Sequence, residues 1–386
     1  MSRLISVIFI SSMLRAVVFG CFVMGLVGCS MWGGEVDKIK PAELGVNVPI
    51  FGVRQAWVIP LGSQGSSHLV PHVNGTVVTV ASVDGVVVAI DARTGGEVWR
   101  LNLGEPLAAG VGADGHWVAV MTQGNELIAL EGGHEQWRKR IAAQVYTSPF
   151  VAGGRIFILA ADRSIIAFDA ANGRRLWSQP GLGDPLVLRQ PGVLMAVGDN
   201  LIAGASGRLT ALNPDSGARR WEVPLASPRG TNDVERLVEL VSPASRAGES
   251  VCVRAFDATV GCVDASRASL NWTQISRGTV GLGGDDVAVY GTQTNGFVTA
   301  WSRKDGVRTW SSERLQYRQL TAPLLLGRSV VIGDNSGLVH FLSREDGSQL
   351  NRVTTDESGI AAELVATADT LVVVTRKGNI YGFRPD

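Results

Sequence analysis

The chain is poor in cysteine, in charge and in any excess of one sign. It has four cysteines in 386 residues, at positions 21, 29, 252 and 262. That excludes a disulfide-stapled miniprotein, and no Cys-Cys or Cys-x-x-Cys pair is available for metal or redox chemistry. Charged residues make up only 18%, with 35 Lys and Arg against 35 Asp and Glu. Nothing here supplies the basic field that a nucleic-acid binder needs. The nucleophile, zinc and phosphate motifs His-Glu-x-x-His, Gly-x-Ser-x-Gly and the P-loop are missing. The five histidines are scattered, and Pro71 denies His68 and His72 the helical spacing of a metal pair. The carboxylates fall mostly at one repeated turn position, where capping turn amides accounts for them.

The first residues read as a targeting segment, kept out of the fold. Arg3 and Arg15 supply positive charge, and Ala16–Leu26 is an apolar run of 11 residues, short of the ~20 that span a bilayer. Met13, just ahead of this run, is an alternative start. Leu26-Val27-Gly28-Cys29 resembles the bacterial lipobox, which implies a signal peptide over 1–28 and lipidation of Cys29 as the mature N-terminus. Ser30 in place of Asp implies passage to the inner leaflet of the outer membrane. Residues 29–50, with Gly33, Gly34, Pro41, Gly45 and Pro49, read as a lipidated flexible tether. Without the two signal arginines the chain carries 33 basic against 35 acidic residues.

What the chain does have is a repeat. Asp84–Trp99, DGVVVAIDARTGGEVW, sets the pattern: a tight turn, an apolar strand, a polar turn, then a short strand ending on tryptophan. Asp162–Trp177 (DRSIIAFDAANGRRLW) and Ser206–Trp221 (SGRLTALNPDSGARRW) repeat it closely. Counting from Trp57, the tryptophan slot falls at 57, 99, 137, 177, 221, 272, 310 and, with leucine in it, 350. A period of ~40–45 residues with four short strands per unit is that of a β-propeller blade. The last copy, Lys377–Asp386, stops before its tryptophan strand, and Trp57 near the front completes it. A linear solenoid would need polar capping repeats instead. The expected fold is therefore all-β, an eight-bladed β-propeller of four-stranded antiparallel blades over 51–386. N- and C-terminal strands share the last blade.

Within each blade the innermost strand should be small and apolar, as in Pro106–Val111, Thr147–Val151, Pro185–Leu188 and Thr321–Leu325. Leu194–Val197 reads as a second strand. The tryptophans read as wedges between blades, each burying roughly 150–250 Å². Two adjacent intervals are long, 44 residues to Trp221 and 51 to Trp272. The surplus lies in Pro185–Gln190 and Ala226–Ser250, where Asp233–Leu240 alternates with helical spacing. Elaborated loops on a rigid scaffold are where binding concentrates. Cys252 and Cys262 flank the Asp257 turn on neighbouring strands, with Cys262 opposite Cys252 or Val253. A cross-strand disulfide and two small buried thiols both fit.

The repeat alanines Ala89, Ala129, Ala167, Ala211 and Ala300, with the following polar turn and tryptophan, resemble quinoprotein-type propeller repeats. Together with the lipobox, Ser30 and the tether, they make the chain similar to the BamB family. Those are lipoproteins of the outer-membrane β-barrel assembly machinery. Leu186-Val187-Leu188-Arg189 matches that family's Leu-x-Leu-Arg segment, and Glu235-Arg236-Leu237 with Glu239 matches its acidic segment. Val241 stands where a further acid is expected. The resemblance implies a non-enzymatic, cofactor-free scaffold on the periplasmic side of the outer membrane. It docks on the POTRA domains of BamA through Leu186, Leu188, Arg189, Glu235, Arg236 and Glu239, and it assists unfolded outer-membrane proteins as substrates. Two other readings stand beside it. A quinone (PQQ)-dependent dehydrogenase would bring vicinal cysteines and axial calcium-binding acids. A polysaccharide binder would need an exposed aromatic cluster.

Overall fold

The computed structural model describes residues 40–62, 69–181, 187–227, 238–367 and 369–386. Residues 41–386 form one compact unit. Its strands make eight four-stranded antiparallel sheets, the blades of a propeller. Blades 1 to 7 cover 72–102, 112–140, 150–179, 193–224, 240–275, 282–312 and 324–354 in chain order. Blade 8 takes three strands from 365–385 and its fourth from Val53–Pro60, paired from Val53↔Pro385 to Pro60↔Asn379. We label the strands of a blade A to D in sheet order. The A strands of neighbouring blades touch around the ring, so A is axial and D faces out.

The burial pattern follows from this stacking. Strands B and C are covered on both sides by adjacent blades, so they read as continuous apolar runs; Val77–Ala81, Val86–Asp91 and Trp117–Met121 are almost wholly buried. Strand D is half-exposed, and there the pattern alternates, as in Glu97–Asn102. A–B and C–D turns gather on one face of the ring. B–C turns and D–A connections gather on the other, tied by bonds such as Leu103 N to the Gly85 carbonyl.

One contact recurs at the blade junctions. The strand-D tryptophan lies opposite a small strand-C residue: Ala89↔Trp99, Ala129↔Trp137, Ala167↔Trp177, Ala211↔Trp221, Cys262↔Trp272, Ala300↔Trp310 and Gly382↔Trp57. Alanine is selected because a larger side chain would occupy the indole's place. The ring then lies on the C–D turn of the next blade, where its Nε1 donates to a carbonyl. Trp57 reaches Ala92 at 2.9 Å, Trp137 reaches Ala170 at 2.7 Å, and Trp310 reaches Arg344 at 2.9 Å. A Cβ on Gly173 would stand 2.8 Å from the Trp137 ring, and Gly173 has φ +68; both demands exclude other residues there. Ala268 alone keeps this turn position without glycine, at φ 52.

Blade 7 departs from the rule and corrects the slot assignment. The residue in tryptophan register is Asn351, opposite Phe341, and not Leu350. Leu350 is a core residue at 7% exposure. The reason is topological. Blade 8 receives its fourth strand from the front of the chain, so it has no C–D turn for an indole to meet. Residues 47–52 stand in for that turn. Asn351 Nδ2 donates to the Phe51 carbonyl at 2.8 Å, as the indoles do elsewhere, and Phe51 packs edge-on against Phe341 at 5.7 Å. The end of the segment read as a tether is thus fixed to the ring. Ala42 N bonds the Gln316 carbonyl, Arg352 bonds the Gly45 carbonyl, and Ile50 N bonds the Leu350 carbonyl.

Two other expectations change. Val193–Val197 is strand A of blade 4 and pairs with Asn200–Ala205, so Leu194–Val197 is an innermost strand and not a second one; of the expected Pro185–Leu188, the first two residues lie outside the described residues. The Gly198 turn, at φ 55, gives blade 4 a hairpin that the alternation of Leu194–Val197 masked. In blade 5, Leu240–Ala247 is strand A, broken in register between Val241 and Ser245 around the cis Ser242-Pro243 bond. Helical spacing therefore does not extend through Leu240, which starts a strand. Cys252 pairs in register with Cys262, and the two form a disulfide.

The turn glycine is testable in urea unfolding. Gly173→Ala is expected to lose about 1–3 kcal/mol through crowding and a left-handed backbone. Ala268→Gly is expected to be neutral or to gain about 0.5–1 kcal/mol. Equal losses in the two variants would contradict indole-on-turn docking.

Candidate functional site

The described ends of the two over-long connections, 187–192 and 238–239, line one pocket. One runs from blade 3 to blade 4 (180–192), the other from blade 4 to blade 5 (225–239), on the B–C-turn face. Of the six residues expected to dock a partner, Leu188, Arg189 and Glu239 are described. Leu186, Glu235 and Arg236 lie outside the described residues, as does Cys29.

Leu188 is half-buried and Arg189 exposed. The segment carrying them is pinned at its C-terminal end: Gly192 N donates to Thr147 Oγ1 at 2.9 Å, and Ser242 N donates to the Pro191 carbonyl at 3.0 Å. The Arg189 guanidinium lies 5.7 Å over the Tyr146 ring, a cation–π contact on an otherwise exposed side chain. On the other side of Leu188, Glu239 accepts a bond from Arg163 Nη2 at 2.6 Å, with side chains only 13% and 6% exposed. Leu188, Tyr146, Arg163 and Glu239 line one pocket of about 40 Å³. Its small volume suits a ridge with a dimple for a protein partner rather than a chamber for a small substrate.

Sequence reasoning missed Tyr146 and Arg163. Arg163 stands at the second turn position of DRSIIAFDA, where the other copies have glycine or asparagine except for Ala258 in blade 5, and it holds φ 64. An arginine in a slot that favours positive φ was the available signal.

Toward the axis the same connections reach the mouth of the central channel. A cavity of about 440 Å³ is lined by Gln190, Ser242, Arg318, Asp334, Glu363 and Arg376, among others. Ser242 Oγ donates to Glu363 Oε1 at 3.3 Å. Burial pushes the Glu363 carboxyl up to about 7, against the opposing pull of Ser242. Nearby, Asp334 accepts bonds from Arg318 and His340, each at 3.0 Å. Burial raises the Asp334 pKa, but the His340 bond and the amides of Leu338 and Ser336 outweigh it and hold this carboxyl below the usual range. His340, at 1% exposure, is pushed below its usual value by burial, against its bond to Asp334. This cluster closes the B–C turn of blade 7 and is structural. Among the described residues no group of three or more His, Cys, Asp or Glu is placed to hold a metal ion.

Fold and site together define a class: an eight-bladed propeller of tryptophan-docked repeats, with a pinned, mixed apolar and charged ridge on one face. The family model described as outer membrane protein assembly factor BamB matches residues 83–312. The chain is 35% identical to the BamB of Burkholderia pseudomallei, over 89% of this chain and 91% of that one. It is 34% identical to that of Bordetella pertussis, over 94% and 95%. The crystal structure of BamB from Moraxella catarrhalis superposes with a TM-score of 0.78 at 22% identity, covering 86% of this chain and 100% of that one. The chain belongs to the BamB family of outer membrane protein assembly factors.

The Glu363 environment sets a pH dependence. With a folded pKa of about 7 against an ordinary glutamate value of 4.5, the folded state holds the extra proton across that window. Stability from this group is therefore full below 4.5 and lost as pH rises through 7. Glu363→Gln is expected to match the parent in thermal melting at pH 4 and to exceed it at pH 8. A parent that melts higher at pH 8 than the variant would refute this.

Proposed function

We propose that this chain is a non-enzymatic scaffold of outer-membrane protein assembly that docks on the periplasmic POTRA domains of BamA. Lipidation at Cys29 would hold it at the periplasmic side of the outer membrane. Unfolded outer-membrane proteins are the substrates it assists. One observation carries the docking reading: Leu188, Arg189 and Glu239, drawn from two connections that break the repeat period, share one ridge. Tyr146 under Arg189, Arg163 bonded to Glu239, and Thr147 bonded to Gly192 just beyond them all come from the connection into blade 3 or from its B–C turn. Family membership supports the assembly role.

The chemistry suits such a contact. A half-buried leucine gives an apolar anchor, and a guanidinium over a tyrosine ring offers several donors to one acidic acceptor. The Arg163–Glu239 pair is nearly dry, so it fixes the blade 4–5 connection to the B–C turn of blade 3 rather than reaching out. Leu186, Glu235 and Arg236, on the same two connections in sequence, belong to the docking set in this reading.

Leu188→Ala combined with Arg189→Ala is expected to abolish co-purification with the periplasmic domains of BamA, a loss of at least about 100-fold in affinity. Thermal melting should stay unchanged, since both side chains reach solvent. Retained co-purification overturns the docking assignment.

A further inference from the structure

On the opposite face, the seam between blades 7 and 8 carries an open apolar groove of about 420 Å³, lined by Phe51, Leu326, Phe341, Leu371 and Phe383 with Arg328 and Arg384 at its edges. Its origin is the broken repeat of blade 7. At the blade 6–7 junction, Trp310 lies opposite Ala300 and donates to the Arg344 carbonyl. The equivalent register at the 7–8 junction has Asn351 opposite Phe341, and the residue equivalent to Arg344 is Pro385, which also lines the groove. No indole enters from blade 7. The stand-in segment through Phe51 covers the site only in part, so an indole seat is left open to solvent.

The rim carries both signs, with Asp369 beside Arg328 and Arg384. Arg384 is committed: it donates to Thr370 Oγ1 at 2.8 Å and to the Arg93 carbonyl, and it faces Asp369 at 3.5 Å. Arg328 lies over the Phe51 ring at 5.5 Å and, among the described residues, has no carboxylate within 4.0 Å. An apolar aromatic floor beside one uncommitted guanidinium complements an aromatic side chain with an acid next to it.

We propose that this groove binds a second polypeptide, an extended segment that inserts one aromatic side chain, tryptophan best, while an adjacent Asp or Glu pairs with Arg328. The fold itself supplies the argument for a polypeptide: at the other junctions this seat receives an indole delivered by an extended strand. The groove is on the other face from Leu188 and Arg189, so it neither needs nor tests docking on BamA.

The probe is a soluble, fluorophore-labelled decapeptide of Gly and Ser with a central Trp-Asp pair, titrated by anisotropy against the full soluble propeller. Replacing the peptide's Trp by Ala is expected to weaken binding about tenfold or more. Arg328→Glu is expected to weaken it about threefold to fivefold, the scale of an exposed ion pair. Phe341→Ala combined with Asn351→Trp rebuilds the Ala–Trp pair of the other blades and should fill the seat. Binding is then lost while melting stays cooperative. If that double variant does not fold, the peptide series and Arg328→Glu decide alone. Binding that ignores the Trp, that survives the filled seat, or that is seen with palmitate and not with the peptide overturns the proposal. So does an Arg328-dependent self-association of the chain in place of peptide binding.

Discussion

The structure depends on an indole laid from one blade onto the backbone of the next. That contact makes four demands at fixed spacing: a tryptophan on strand D, a small residue opposite it on strand C, a left-handed residue in the following C–D turn, and a free carbonyl in that turn. Trp137, Ala167 opposite Trp177, Gly173 and the Ala170 carbonyl show the set across one junction and its neighbour. Each demand is local in sequence, but its satisfaction is always in the adjacent blade. A single repeat therefore cannot complete itself, and the ring is the smallest closed solution.

This explains why so much of the fold was legible. The tryptophan period marks strand D, the repeat alanine marks strand C, and the turn glycine marks the hand-over. Together they fix blade number, strand order and the shared last blade before any coordinate is known. What failed to read had a physical cause each time. Leu350 was taken for the slot because an apolar residue was sought, whereas the seam needs a donor, and Asn351 provides it toward the Phe51 carbonyl. Blade 4 was misregistered because Val193–Val197 and Asn200–Ala205 are both short apolar runs. Only the positive φ at Gly198 separates them.

The candidate site was legible in place but not in partners. Period-breaking pointed to the two connections around blade 4, and the resemblance pointed to Leu188, Arg189 and Glu239 within them. Tyr146 and Arg163 come from the blade 3 side and have no sequence proximity to either connection. Their roles are set by the ring, which brings a B–C turn within 2.6 Å of a residue 76 positions away. Long-range pairs of this kind leave no periodic trace.

The two faces then follow from one constraint. On the B–C-turn face, connections can lengthen freely because no indole depends on them, and that is where the ridge of Leu188 and Glu239 has grown. On the C–D-turn face, each turn carries the indole of the preceding blade, and even the two-residue Gly132-Gly133 turn of blade 2 keeps its contact with Trp99, so opening surface there requires losing an indole contact. Closure by the front of the chain forces that loss at one junction. The seam is consequently the place on that face where an apolar surface with a charged rim stays open, while the B–C-turn face varies by insertion. A propeller of this kind acquires binding surface by adding chain on one side and by omitting a contact on the other.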